Sequence, residues 1–108
     1  AEVQWTDITP ALINDPQACR EAAAAADALG GGVRVITDRS LSLCGDNFAE
    51  YLLHTPGAYA YLGTGNPVLS NTLSSLHNGN FDVDERALML GAGLYAGYAL
   101  SRLTGKEL

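Results

Sequence analysis

NDPQACREAAAAADALGGGVRVIT, residues 14–37, predicts a helix, a glycine turn and a strand in direct succession. Asp15 is a good N-cap, and Pro16 suits the first helical position because its φ is already fixed. The alanine-rich body favours a helix as far as about Leu29. Gly30–Gly32 then ends it, since glycine adopts positive φ without strain. The triplet follows a helix, whereas a phosphate-binding loop would precede one, so we interpret it as a C-cap and turn.

The remaining residues extend this alternation of helices and strands. β-Branched residues predict a strand at 33–37, and apolar residues recurring at alternate positions predict strands at 2–9 and 58–62. Helices are predicted at 46–54 and from an Asp82/Glu85 capping box to about Thr104. The order strand, helix, strand, helix, strand, loop, helix predicts an α/β domain in which parallel-type strands are layered with helices. Gly91, Gly93 and Gly97 in the last helix then predict its close approach to a sheet.

Composition restricts the classes of partner. The 108 residues carry 6 Lys and Arg against 12 Asp and Glu, a net charge of -6, which argues against a nucleic-acid partner. Ala87–Leu100 is shorter than the run of about 20 residues that spans a bilayer, so we expect no membrane partner. The N-terminus lacks the pattern of a secretory signal, which favours a cytoplasmic protein.

His77 is the strongest candidate for chemistry. It lies in the polar stretch 68–81, which is long for a connection and therefore typical of a functional loop. Neutral imidazole is a common metal ligand, although a surface histidine without a ligand role is the alternative. Gly63–Gly65 and Asp46 follow predicted strands on the same side, where open α/β sheets bind ligands. Asp46 fits a helix cap as well as a catalytic acid, and the two glycines fit a turn as well as a substrate contact.

Several segments together resemble the C-terminal portion of the M20 family of metal-dependent aminoacylases, carboxypeptidases and amidohydrolases. The likeness is to the branch of hippurate and indoleacetyl-amino-acid hydrolases, and it covers essentially the whole chain. It rests on the order and spacing of motifs that are individually weak. These motifs are PALINDP at 10–16, GDNFAEYL at 45–52, PGAYAYLGTG at 56–65, LH at 76–77 and FDVDE at 81–85.

The resemblance implies a division of the chain and a site. Residues 1–10 would be the last strand of an inserted lid or dimerisation domain, and residues 11–108 the C-terminal half of the catalytic domain. His77 matches the family's last metal ligand. The intact enzyme would hold two divalent ions, zinc or manganese, and would hydrolyse an N-acyl-amino-acid or small peptide amide. The other ligands and the general base lie upstream in the family, so no catalytic residue is assigned here.

The resemblance also implies how this chain behaves alone. It would hold no metal tightly and would be inactive, whereas the intact enzyme would be a homo-oligomer. The substrate pocket would include Asp46, Asn47, Gly63, Thr64 and Gly65. Asp46–Asn47 depart from the family's Glu-Asp, so we expect changed metal tuning, changed substrate preference or an impaired site. The alternative is a non-catalytic interaction module derived from the same fold. A fragment would also expose an apolar patch and self-associate.

Overall fold

Three α-helices and one short 3-10 turn provide the regular structure of the described residues. The computed structural model describes residues 1–105. The elements in chain order are α1, Pro16–Ala28; α2, Phe48–Leu52; a 3-10 turn, Ser70–Leu73; and α3, Arg86–Thr104. Among them, α1 packs against α3.

The first helix forms as its sequence predicts. Asp15 Oδ1 accepts a hydrogen bond from the Ala18 amide at 2.8 Å, and Pro16 stands at the first helical position. The helix ends at Ala28, and Gly30–Gly32 follow with φ values of 63°, 65° and 81°. The N-cap and the glycine turn are therefore confirmed, because both depend only on nearby residues.

The other two helices begin differently from their predictions. α2 is shorter than the predicted 46–54 helix and starts after Asn47. At α3 the N-cap is Glu85, which makes no capping hydrogen bond through its side chain, so the predicted capping box is wrong. Asp84 supplies the side-chain acceptor at this helix start instead, since its Oδ1 accepts from the Arg86 amide at 3.1 Å. Asp82 Oδ1 accepts only from the next amide, that of Val83.

The predicted α/β fold, with parallel-type strands layered with helices, is wrong. Residues 2–9, 33–37 and 58–62 form no strand, and the β-pairing within residues 1–105 is one isolated bridge between Asn66 and Leu69. A strand needs a neighbouring backbone to complete its hydrogen bonds. At Tyr59 the side chain of Asn14 occupies that position, accepting from the Tyr59 amide at 2.8 Å and donating to its carbonyl at 3.0 Å.

Glycines in α3 allow close contacts, although not with a sheet. A Cβ atom at Gly91 would lie 3.0 Å from Leu62 Cδ2, and one at Gly93 would lie 3.0 Å from Leu29 Cδ2. The helix therefore approaches leucine side chains from two other parts of the chain. Among the described residues, no helix is both long enough and apolar enough to cross a bilayer.

The interior is built from small side chains. The buried apolar residues of the described chain are all alanines, namely Ala18, Ala25, Ala26, Ala49 and Ala87. Most of the large apolar side chains remain exposed, with Trp5 at 87% and Leu43 at 104%. Burial of apolar area is the main favourable term in folding, so most of the potential driving force of this sequence is not used within the described residues.

Candidate functional site: the His77 loop

A hydrogen-bonded turn at Asn66 forms one end of the site. The Asn66 amide donates to Thr72 Oγ1 at 2.7 Å, and its carbonyl accepts from the Leu69 amide at 2.9 Å. The Asn66 side chain closes a second small ring by accepting from the Val68 amide at 2.9 Å. Thr72 is buried, and its hydroxyl also donates to the Leu69 carbonyl at 2.7 Å.

The same asparagine also holds the start of α3. Its Nδ2 donates to Asp84 Oδ2 at 2.8 Å, and the Asp84 amide donates to the Thr64 carbonyl at 3.0 Å. The residues on either side of segment 73–83, Thr72 and Asp84, are therefore both bonded to Asn66. We call this segment the His77 loop, and its closed base resembles that of a compact surface loop with neighbouring ends.

Asp84 is held at the loop base by a charged partner as well. Arg86 lies 2.6 Å from Asp84 Oδ2 through Nη2, and its Nε donates to Asp84 Oδ1 at 2.9 Å. Hydrogen bonds from Arg86 and then from Asn66 lower the pKa of the Asp84 carboxyl below its ordinary value. The carboxylate is therefore ionised wherever the chain is folded near neutral pH.

His77 occupies an unusual backbone position at the tip of the loop. Its φ is 65°, and it is the non-glycine residue with positive φ in the described chain. It is the third residue of a turn closed by the Asn78 amide and the Ser75 carbonyl at 3.3 Å, the position at which a type II turn requires positive φ. The side chain is exposed. The turn thus presents an accessible imidazole on a loop whose base is fixed.

The described residues do not complete a metal site around His77. Residues 1–105 contain no grouping of three or more His, Cys, Asp or Glu side chains that could hold an ion. Zinc sites in enzymes use three protein ligands. His77 fits as one ligand of such a site, and the assignment stays a prediction. Any further ligands would have to come from beyond the described residues.

Asp46 caps a helix and binds a phenol. Its Oδ1 accepts from the Phe48 amide at 2.8 Å, while its Oδ2 accepts from the Tyr59 hydroxyl at 3.1 Å. That hydrogen bond, with burial second, raises the pKa of Tyr59. Asn47 is the exposed N-cap of α2 without a capping side-chain bond. Asp46 therefore accepts from the first amide of α2, although the N-cap itself is Asn47, and contact with a substrate stays a prediction for both residues.

Two clefts in the described chain lie elsewhere. One, of about 490 Å³, is bounded by the start of α1 and the end of α2 and includes His54. The other, of about 110 Å³, lies between α1 and α3 beside the ion pair of Glu21 and Arg102. Neither is lined by the predicted metal ligand His77 or by the predicted substrate-pocket residues, which are Asp46, Asn47, Gly63, Thr64 and Gly65.

Sequence reasoning missed the residues that hold the loop. Asn66 precedes a proline and follows Gly-Thr-Gly, and an asparagine before proline commonly starts a turn. The turn at Asn66 is therefore predictable from the sequence. The bonds from Asn66 to Thr72 and Asp84 were not predictable, because they join residues 6 and 18 positions apart.

Two curated proteins are similar to most of this chain. A Bacillus subtilis (strain 168) protein named "Putative amidohydrolase YhaA" is 28% identical over 92 residues, which cover 85% of this chain and 23% of that protein. A Rhodococcus jostii (strain RHA1) protein named "Putative glutamate--cysteine ligase 2-3" is 31% identical over 102 residues, covering 94% of this chain and 12% of that protein. No family model and no solved structure matches.

The chain therefore spans about a quarter of the first relative and about an eighth of the second. The first similarity supports a coarse relationship to amidohydrolases and, through it, to hydrolases.

Proposed function

We propose that this chain is the C-terminal part of a metal-dependent amidohydrolase of the M20 type, and that His77 is one of its metal ligands. The enzyme hydrolyses the amide bond of an N-acyl-amino acid or a small peptide. In this proposal residues 1–10 are the end of a lid or dimerisation domain. Residues 11–108 belong to the catalytic domain of a homo-oligomer. The chain alone is inactive because it supplies a single ligand.

The names of both relatives favour chemistry at an amide. An amidohydrolase cleaves such a bond, and a glutamate–cysteine ligase forms one between two amino acids. Hydrolysis is the better choice for this chain, because the resemblance drawn from its own motifs also leads to hydrolases of acylated amino acids. The segment similar to the Bacillus protein includes most of the chain.

The geometry of the His77 loop is the observation that carries the proposal. Asn66 fixes both ends of the loop, and the left-handed turn holds an exposed imidazole at its tip. A ligand held this way loses little conformational freedom when an ion binds. When bound, zinc or manganese ions supply Lewis acidity and an activated water for attack on an amide carbonyl.

The other predicted residues have subsidiary roles. Asp46 and Asn47 stand at the start of α2, and Gly63, Thr64 and Gly65 enter the Asn66 turn. Their proposed role is to shape the substrate pocket once the remaining polypeptide is in place. Thr64 is already engaged through its carbonyl with Asp84, so its side chain is the part left for substrate.

The second candidate is a non-catalytic interaction module. The Asp46–Asn47 pair favours it, because both residues depart from the Glu-Asp of the M20 motif. Asp46 is engaged with Phe48 and Tyr59, which is a structural role. A module would keep these contacts and would have no need of His77.

Activity of the protein encoded by the complete reading frame distinguishes the two candidates. His77→Asn removes the imidazole while keeping a residue that tolerates positive φ. Hydrolysis of N-acyl-amino acids should fall by at least about 100-fold, because loss of even an outer-shell partner of a metal ligand costs about 10–100-fold in metal affinity or activity. His54→Asn, a change at the other exposed histidine, is the matched control. Equal hydrolysis by the two variants would contradict the proposal.

A further inference from the structure

The last helix is apolar on every side. No charged residue occurs from Ala87 to Ser101, a stretch of four helical turns. The parts of α3 that meet the rest of the described chain include buried Ala87, Gly91 approached by Leu62, and Gly93 approached by Leu29. A soluble surface helix normally carries polar residues on the opposite side, and a helix that is apolar all round is found buried.

The opposite side of α3 exposes large apolar side chains instead. Leu88 is 58% exposed, Met89 79%, Tyr95 82% and Leu103 84%. Together with three small exposed residues at helical spacing, they make a continuous stripe along the helix. We call this stripe the outer α3 face; it consists of Leu88, Met89, Ala92, Tyr95, Ala96, Ala99 and Leu103.

The exposed area of the whole chain is too large for a self-contained monomer. The chain exposes 9029 Å², whereas a folded monomer of 11.3 kDa exposes about 5,700 Å². Its radius of gyration is 16.7 Å, compared with about 13 Å for a domain of this length. The excess of about 3,300 Å² is larger than the roughly 800 Å² that each partner contributes to a standard interface.

We propose that the outer α3 face is covered by polypeptide from outside these 108 residues, which presents an uncharged, apolar surface to it. The proposal rests on the proposed function and identifies this polypeptide as the part of the amidohydrolase that carries the remaining catalytic groups. Both relatives contain additional polypeptide of this kind of length, because the matched segments are only 23% and 12% of their lengths. An uncharged partner is required, since a charge buried against this face would be unpaired.

A second copy of the chain would cover less of the excess exposed area than a larger polypeptide would. α3 has 19 residues, so it is about 28 Å long and about 10 Å wide. Pairing two such faces covers about 300 Å² per copy in projection, roughly a tenth of the excess. Strongly exposed apolar residues outside α3 would stay in water, among them Trp5, Ile8, Leu41, Leu43 and Val68. A larger polypeptide can cover several of these segments at once.

Oxidation of Met89 by hydrogen peroxide tests this cover directly. Met89 is the single methionine of the chain, so peptide mass spectrometry reports its sulfoxide without ambiguity. We expect oxidation to be at least tenfold slower in the folded product of the complete reading frame than in the same protein unfolded in urea. Equal rates would overturn the proposal, as would a reading frame that encodes nothing beyond these residues. Protection that grows with the concentration of the complete protein would assign the face to a second copy and would also overturn it.

Matched aspartate substitutions locate the protected surface. Ala96 lies on the outer α3 face and Ala24 on an exposed position of α1. In the complete protein, Ala96→Asp should raise the Met89 oxidation rate toward that of the urea-unfolded protein, whereas Ala24→Asp should leave it unchanged. Equal effects of the two changes would overturn the proposal. These readouts do not use metal or substrate, so a failure here is distinct from loss of the His77 assignment.

Discussion

Asn66 donates a hydrogen bond through Nδ2 to Asp84 Oδ2 at 2.8 Å, and the two residues together close the base of the His77 loop. The Asn66 amide also donates to Thr72 Oγ1, and Asp84 accepts from Arg86, so the contact joins the turn before the loop to the helix after it.

The stability of the loop base should depend on pH through Asp84. Its folded-state pKa lies below the ordinary value of 3.8, so its stabilising contacts are present above that value and are lost as pH falls through the lowered pKa. We expect acid to reduce the stability of the chain, and Asp84→Asn to reduce this dependence. Urea unfolding at several acidic pH values measures it. Identical slopes for the two proteins would refute the role of Asp84.

Thr72→Val should destabilise the Asn66 turn. Valine keeps the shape but removes the hydroxyl, leaving the Asn66 amide without its 2.7 Å acceptor. An unsatisfied buried polar group costs about 1–3 kcal/mol in the free energy of unfolding. Thr72→Ser keeps the hydroxyl and should lose clearly less, as measured by urea denaturation. A larger loss in the serine variant would mean that the methyl group matters more than the hydrogen bond.

Asn14→Ala should destabilise the chain by removing both hydrogen bonds to Tyr59. Each such bond contributes about 0.5–1.5 kcal/mol, so the expected loss is about 1–3 kcal/mol. Asn80→Ala is the control, because that exposed residue is bonded through its backbone amide. Thermal or urea unfolding of the three proteins measures the difference. No difference between the two variants would contradict the described pairing.

Asp46→Asn should lower the pKa of Tyr59. In the parent chain the Asp46 carboxylate accepts from the phenol and opposes its ionisation, which raises that pKa. Removing the charge should move the pKa back toward its ordinary value of 10.0. Ultraviolet titration of tyrosine ionisation, with Tyr59→Phe to assign the transition, measures the change. A titration curve unchanged by Asp46→Asn would rule out this contact.

The parts of the fold that sequence predicts are local. Asp15, Pro16 and the glycine triplet determine where α1 begins and ends through contacts within four residues. The predicted strands failed because a strand depends on a distant partner that local pattern does not reveal. At 58–62 that partner is the side chain of Asn14, 45 residues away from Tyr59.

The candidate site divides in the same way. The polar stretch around His77 was recognisable as a loop from its composition, and its exposure agrees with that. Its left-handed turn was not predicted, because histidine is a much weaker local signal for positive φ than glycine is. The tie from Asn66 to Asp84 depends on long-range packing, which spacing alone does not determine.

The number of metal ions bound to the protein encoded by the complete reading frame tests the central claim, that His77 is a metal ligand. Elemental analysis after dialysis should find at least one ion fewer per chain in His77→Asn than in the parent or in His54→Asn. Loss of one ligand weakens a metal site strongly, while the asparagine preserves the left-handed turn. An unchanged metal content in His77→Asn would contradict the account.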